Sequence, residues 1–171
     1  MKKALDAAIA RLPALRALAV CLLAACLLTA CAAKPPKPTP TLARLVATEQ
    51  VNPDVSGRAS PIVVRLFQLR SEGEFADAEF FALYEKEKEV LGESLVSREE
   101  YVLAPGETRD IQISLNAQTR YLGVLAAYRD IRAAQWRAVT RAPEKTLTDL
   151  LGKDGVTITL DKDTVALSVK D

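Results

Sequence analysis

The sequence predicts an all-β fold, mainly β, in which an eight-stranded β-sandwich carries one inserted helical segment over residues 42–171. Three observations carry that expectation. Apolar and polar residues alternate over short runs, as in Arg109-Asp110-Ile111-Gln112-Ile113-Ser114-Leu115, where Ile111, Ile113 and Leu115 share one face of an extended chain. Short turn-forming clusters separate these runs, which suits a sandwich better than βαβ units with helical crossovers. Only Glu74 to Leu91 carries a long helical periodicity.

The first element is a leader. Lys2, Lys3, Arg11 and Arg16 precede the uncharged run Ala17 to Thr29, and small residues lead into Cys31. An apolar run of this length makes only about 20 Å of helix, short of the roughly 30 Å hydrocarbon core, so a transmembrane span is the weaker reading. Leu28-Thr29-Ala30-Cys31 resembles a lipoprotein signal. The resemblance implies a signal peptide over residues 1–30, a diacylglycerol on the Cys31 thiol, cleavage before Cys31 and an N-acyl lipid on the amine released. At about 0.8 kcal/mol per buried methylene, three chains hold a membrane far more firmly than one. The competing readings are an ordinary cleaved signal, with Cys31 one more small residue, and an uncleaved anchor. Ala32 stands where an aspartate would retain an enterobacterial lipoprotein at the inner membrane, so the expected address is the outer membrane.

Residues 31–41 comprise Cys31 and a proline-rich tether. Lys34-Pro35-Pro36-Lys37-Pro38-Thr39-Pro40 forbids helix and favours polyproline II, a semi-rigid spacer of about 30 Å from Ala32 to Thr41.

The domain then opens with a strand over Leu42 to Val51. Pro61 to Leu69 is almost continuously apolar except for Arg65 and Gln68, as expected of a central strand covered on both faces. In the helical segment Phe80, Leu83, Tyr84 and Leu91 form a stripe, Ser71 or Asp77 stands as the cap and Gly92 as the stop. Glu85-Lys86-Glu87-Lys88-Glu89 mixes both signs and reads as a solvated face. Leu95 to Leu103 meets Ala104-Pro105-Gly106-Glu107, a turn expected to return the chain into the Ile111 strand as a hairpin. Tyr121 to Tyr128 and Ala134 to Thr140 follow, with Asp130 to Arg132 between them. A weaker helical turn at Thr146 to Leu151, stopped by Gly152, precedes a last strand pair, Val156 to Leu160 and Val165 to Val169, around Asp161-Lys162-Asp163.

Alternating strand directions would send the connections Asn52–Ser60, Ala104–Thr108, Asp130–Ala133 and Asp161–Asp163 to the end away from the tether. The helix would fall at the tether end.

Composition narrows the chemistry. The 23 basic and 22 acidic residues become 19 and 21 once Lys2, Lys3, Arg11, Arg16 and Asp6 leave with the leader, a net charge of −2 that suggests neither nucleic acid nor an anionic membrane surface. Cys21 and Cys26 would leave too, so the mature chain would keep only Cys31 and no disulfide is expected. The count of histidine is 0, which removes the commonest general base and metal ligand together with every Ser-His or Cys-His arrangement. Glu99, Glu100 and Asp130 are the carboxylates an envelope hydrolase would use. Adjacent Glu99 and Glu100 point to opposite faces of a strand and cannot form a dyad. No enzyme, cofactor or metal site is expected.

One resemblance spans nearly the whole mature chain. Asn52-Pro53-Asp54, Gly57-Arg58, Pro61 to Leu69, Phe75-Ala76-Asp77-Ala78-Glu79-Phe80-Phe81, Val90-Leu91-Gly92, Pro105-Gly106-Glu107, Tyr121-Leu122-Gly123-Val124 and Tyr128-Arg129-Asp130 occur in the order of the TssJ (SciN/VasD) lipoproteins of type VI secretion, behind a lipobox. Each motif alone is weak; the ordered set is specific. The resemblance implies a transthyretin-like sandwich with a helical addition, anchored in the outer membrane and facing the periplasm. It implies docking of the periplasmic C-terminal domain of the inner-membrane protein TssM, within a complex that includes TssL, and a structural role without catalysis. The implied contact is the loop after the first strand, here Asn52, Pro53, Asp54, Val55, Ser56, Gly57, Arg58, Ala59 and Ser60.

Within this loop Asn52, Asp54 and Gly57 are turn formers, and Arg58 is either a bidentate donor to a partner or an internal mate of Asp54. Trp136 reads as core rather than as an interface hot spot. The alternatives to docking are a lipid-anchored sandwich that binds a small apolar ligand between its sheets, and an envelope scaffold of another complex.

Overall fold

A computed structural model describes residues 38–143 and 155–170. The expected signal peptide, Cys31, most of the expected tether and the helical turn expected at Thr146 to Leu151 lie outside the described residues. Within them eight strands form two four-stranded sheets, ordered β4-β1-β7-β8 and β3-β2-β5-β6. The strands are β1 (Thr39–Ala47), β2 (Ile62–Leu69), β3 (Leu95–Leu103), β4 (Thr108–Leu115), β5 (Tyr121–Ala126), β6 (Arg137–Arg141), β7 (Gly155–Leu160) and β8 (Val165–Lys170). β1 and β7 run parallel. The other pairs are antiparallel.

The predicted first strand is shifted. β1 starts at Thr39, inside the expected tether, and Pro40 is tolerated there because, among the described residues, β1 pairs only with β4 until it meets β7 at Leu42. It stops at Ala47, where Val51 N donates to Thr48 O across a turn at 3.2 Å. Val51 remains fully buried although it is not in the strand. At the other boundaries, Ala127 and Tyr128 follow β5 rather than extend it, and Ala134 to Trp136 precede β6.

The expected hairpin between Leu95–Leu103 and the Ile111 strand does not form, because β3 and β4 lie in different sheets. The Pro105-Gly106 reversal is real, with Gly106 at φ +75. Its ladder bonds go instead to the end of β1: Ala47 N donates to Glu107 O at 2.8 Å, and Gly106 N to Thr48 O at 3.2 Å.

Alternation builds the first core. Leu45, Ile62, Val64, Leu66, Ile113, Leu122, Val124 and Ile158 face one another between the sheets and are buried. Gln68, the polar interruption in β2, belongs to this inner face. Its Nε2 donates to Ser114 O at 3.0 Å, while Oε1 accepts from Asn116 N at 2.9 Å and Thr119 Oγ1 at 2.8 Å, so a 3 % exposed amide ties the sheets together at one end.

The opposite face of β2 explains its continuous apolar run. Phe67 and Leu69, with Leu125 of β5, pack outward against Phe75, Phe80, Leu83 and Leu91 of the helical insertion. The single helix expected over Glu74 to Leu91 is in fact three short ones, α1 (Gly73–Asp77), α2 (Phe80–Glu85) and α3 (Glu87–Leu91), followed by a 3-10 turn at Gly92–Ser94. In one continuous helix Phe75 would sit about 140° around the axis from Phe80. Extended backbone at Ala78 (ψ 144) and Glu79 (ψ 148) breaks the helix and turns both phenylalanines inward. Gly123 lets Phe75 approach: a Cβ there would lie 2.9 Å from Phe75 Cζ.

Arg65, the other polar interruption in β2, faces outward and clamps the insertion. Its Nε donates to Glu100 at 2.7 Å, Nη1 to the Tyr84 carbonyl, and its guanidinium lies 4.0 Å from the Tyr84 ring centroid. The insertion leaves and re-enters the sandwich at the tether-side end, as expected, but it is not an end cap. It lies along the outer face of the β3-β2-β5-β6 sheet, where Phe80 meets Trp136 edge to face at 5.2 Å. Trp136 is half-buried against both cores.

Candidate docking end of the sandwich

The strand directions place the connections β1–β2, β3–β4, β5–β6 and β7–β8 at one end, opposite the start of β1 at Thr39. Hydrogen bonds knit the four together. The β3–β4 turn is bonded to Ala47 and Thr48 as described. Thr48 Oγ1 donates to Asp161 Oδ1 at 2.9 Å, joining the β7–β8 turn. Tyr128 Oη donates to Asp161 O at 3.2 Å, and Gln135 N to Asp163 O at 2.8 Å, joining the β5–β6 connection.

Asn52 is the hub. It is 4 % exposed, holds φ +50, and is the single positive-φ residue other than glycine among the described residues. Its backbone N donates to Lys162 O at 3.0 Å, its Nδ2 to Pro61 O at 2.8 Å, and its Oδ1 accepts Arg129 N at 2.8 Å. Asparagine is one of the few side-chain-bearing residues that enters the left-handed region readily, and a short amide reaches both a donor and an acceptor.

From this plate the segment Pro53–Ala59 projects. Asp54 organises it: Oδ1 accepts Ser56 N at 2.9 Å and Arg58 N at 3.0 Å, and Oδ2 accepts Arg58 Nε at 3.1 Å. The backbone closes as a β-turn, with Gly57 N donating to Asp54 O at 2.8 Å and Asp54 N to Arg58 O at 2.8 Å. Gly57 holds φ +78. The Arg58 amide, followed by the Ser56 amide and the Arg58 charge, holds the Asp54 carboxyl below the ordinary carboxylate range. Burial raises the Tyr128 hydroxyl above its ordinary value, aided by the nearby Asp161 and Asp163 carboxylates.

The nine residues singled out from the sequence therefore divide. Asn52 and Ser60 are buried and hold the loop from below. Pro53, Asp54 and Ala59 are half-buried, whereas Val55, Ser56, Gly57 and Arg58 are exposed. Arg58 takes the internal pairing with Asp54, yet its side chain stays 84 % exposed. Thr48, Tyr128, Arg129 and Asp161 also build this end and were not singled out as site residues. Tyr128-Arg129-Asp130 was a visible motif, but its contact with Asn52 spans 77 residues and leaves no local signal.

Among the described residues, this two-sheet sandwich joins four connections at one end through hydrogen bonds and carries a loop closed by its own hydrogen bonds there. The family described as "Type VI secretion lipoprotein, VasD, EvfM, TssJ" matches residues 39–163, and the chain belongs to that family. The chain is 35% identical to the type VI secretion lipoprotein TssJ1 from Pseudomonas aeruginosa, covering 78% of this chain and 98% of that one at a TM-score of 0.70. It is 28% identical to Lip from Serratia marcescens, a membrane-bound component of the type VI secretion system, covering 75% and 96% at a TM-score of 0.67. Two further likenesses show the fold alone. They are a chain in the structure of a type VI membrane complex (23% identity, TM-score 0.65, covering 75% and 97%) and one in the structure of the TssM C-terminal domain from EAEC (21%, 0.59, covering 78% and 98%). A search of curated proteins gives no match. Family membership implies a membrane-anchored component of the cell envelope.

Proposed function

We propose that this chain is an outer-membrane lipoprotein, anchored through acylated Cys31 and facing the periplasm, that docks the periplasmic C-terminal domain of TssM in the complex containing TssL. One observation carries the docking assignment. The four connections are bonded into a rigid end that lies opposite Thr39, where the chain enters the sandwich, and Pro53–Ala59 projects from it. A tether at one end and a rigid presenting surface at the other suit a link between two membranes. Membership of the lipoprotein family supports the reading, as do like-folded chains in structures of a type VI membrane complex and of the TssM C-terminal domain.

The role is structural: the family is one of secretion lipoproteins, and the chain brings no histidine to the chemistry. Docking is favoured over an apolar ligand held between the sheets because buried side chains from both sheets meet there.

The test is capture of the purified TssM periplasmic domain by the full-length protein in detergent. Pro53–Ala59 is replaced by a Gly-Ser linker of equal length, sparing buried Asn52 and Ser60. Loss of capture with an unchanged circular dichroism spectrum is the expected result; undiminished capture moves the interface elsewhere.

A further inference from the structure

Almost every residue of the projecting loop has a structural reason to be what it is. Asn52 joins three connections, Asp54 accepts three hydrogen bonds, and Gly57 holds a positive φ. Val55 has none. It occupies the second position of the Asp54–Gly57 turn, keeps a negative φ that any residue adopts, and is fully exposed at 108%. Turn positions facing water favour polar or small residues, and a lone β-branched side chain here stabilises nothing in the fold. Three residues further on, Arg58 is held through Nε and Nη2 on Asp54 Oδ2, both at 3.1 Å, and its side chain stays 84 % exposed.

The loop thus presents one apolar side chain and one cation paired within the loop to Asp54, on a turn closed by its own hydrogen bonds. A loop already closed by its own hydrogen bonds loses less backbone freedom when it is covered, which favours affinity. Resting on the docking reading, we infer that Val55 is the apolar anchor of the interface and Arg58 its charged flank. The complementary partner surface is a shallow apolar socket with a carboxylate at its rim. Asp54 is the positioning residue for both.

The experiment measures binding of the full-length protein in detergent to the purified TssM periplasmic domain, by calorimetry at two salt concentrations. Val55→Ser weakens binding about tenfold and Val55→Ile stays within about twofold of wild type, the difference expected for burying one apolar side chain. Arg58→Gln weakens binding about fivefold at low salt, and the loss narrows at high salt as the charge pair is screened. Amide spectra of both variants should match wild type outside the loop. A Val55→Ser variant that binds within twofold of wild type overturns the anchor, while the Gly-Ser linker replacement still reports on docking separately. An Arg58→Gln loss that does not change with salt overturns the carboxylate rim. Absence of binding by the wild-type chain overturns the docking reading and this inference with it.

Discussion

Asn52 Oδ1 accepts the backbone N–H of Arg129 at 2.8 Å, joining the β1–β2 loop to the β5–β6 connection across 77 residues of chain. The same side chain donates to Pro61 O, so both ends of one amide are spent inside the protein. Asn52→Ala would strand the Arg129 amide and the Pro61 carbonyl and place alanine in the left-handed region. At about 1–3 kcal/mol for an unsatisfied buried group, plus about 1–2 for the backbone, a loss of roughly 2–5 kcal/mol is expected. Asn52→Gly removes the backbone penalty only and should be the milder change. Denaturant titration of both variants checks this, and equal stability of the two would refute the conformational part.

Gly123 and Phe75 make a second steep prediction. Gly123→Ala places a methyl 2.9 Å from Phe75 Cζ and 3.1 Å from Leu69 Cδ1 in a core where Phe75 is fully buried. Overpacking of this kind costs about 1–3 kcal/mol. The damage should concentrate in α1 and leave the inter-sheet core intact, so hydrogen exchange should rise at Ala76, whose amide donates to Glu72 O, more than at the inward-facing residues of β7.

These two sites show what was legible in the sequence and what was not. Alternation is local, so Ile111-Gln112-Ile113-Ser114-Leu115 gave β4 and its inward face. The doubly covered β2 was visible because Phe67 and Leu69 interrupt the alternation with apolar residues on the outer face. Pro105-Gly106 revealed where the chain reverses, but a turn does not state which sheet the next strand joins, and the expected hairpin became a crossing between sheets. The helix broke because the Phe75 to Phe80 spacing, five residues apart, cannot share a stripe with Leu83 and Leu91. At the candidate docking end Asn52, Asp54 and Gly57 are recognisable as turn formers. The roles of Thr48, Tyr128 and Asp161 depend on partners far along the chain, which no local pattern records.

Acid should test the loop through Asp54. Its carboxyl is held below the ordinary value of 3.8, chiefly by the Arg58 amide. A carboxylate with a lowered folded pKa contributes order that is complete above the ordinary value and lost as pH falls from there through the lowered one. The Ser56 and Arg58 amide resonances should therefore be constant from neutrality to about pH 4 and move only below it. Asp54→Asn should abolish that acid transition and loosen the loop at neutral pH. A wild-type loop transition centred above the ordinary carboxylate range would contradict the hydrogen-bond arrangement.

The anchor can be tested independently of docking. If Cys31 is the acylated residue, Cys31→Ser removes the thiol that takes the diacylglycerol, so palmitate labelling should disappear and the protein should leave the membrane fraction. Partner capture in detergent should survive, because β1 begins at Thr39 and the candidate docking end is built from residues beyond it. That separation matters for how the link would work. If lipid and loop are distinct ends of one device, losing Cys31 should stop secretion while binding of the TssM periplasmic domain stays within about twofold of wild type, well below one decade of affinity. Persistent labelling of the Cys31→Ser variant would refute the lipobox assignment, and loss of partner binding in the same variant would show that the two ends are coupled.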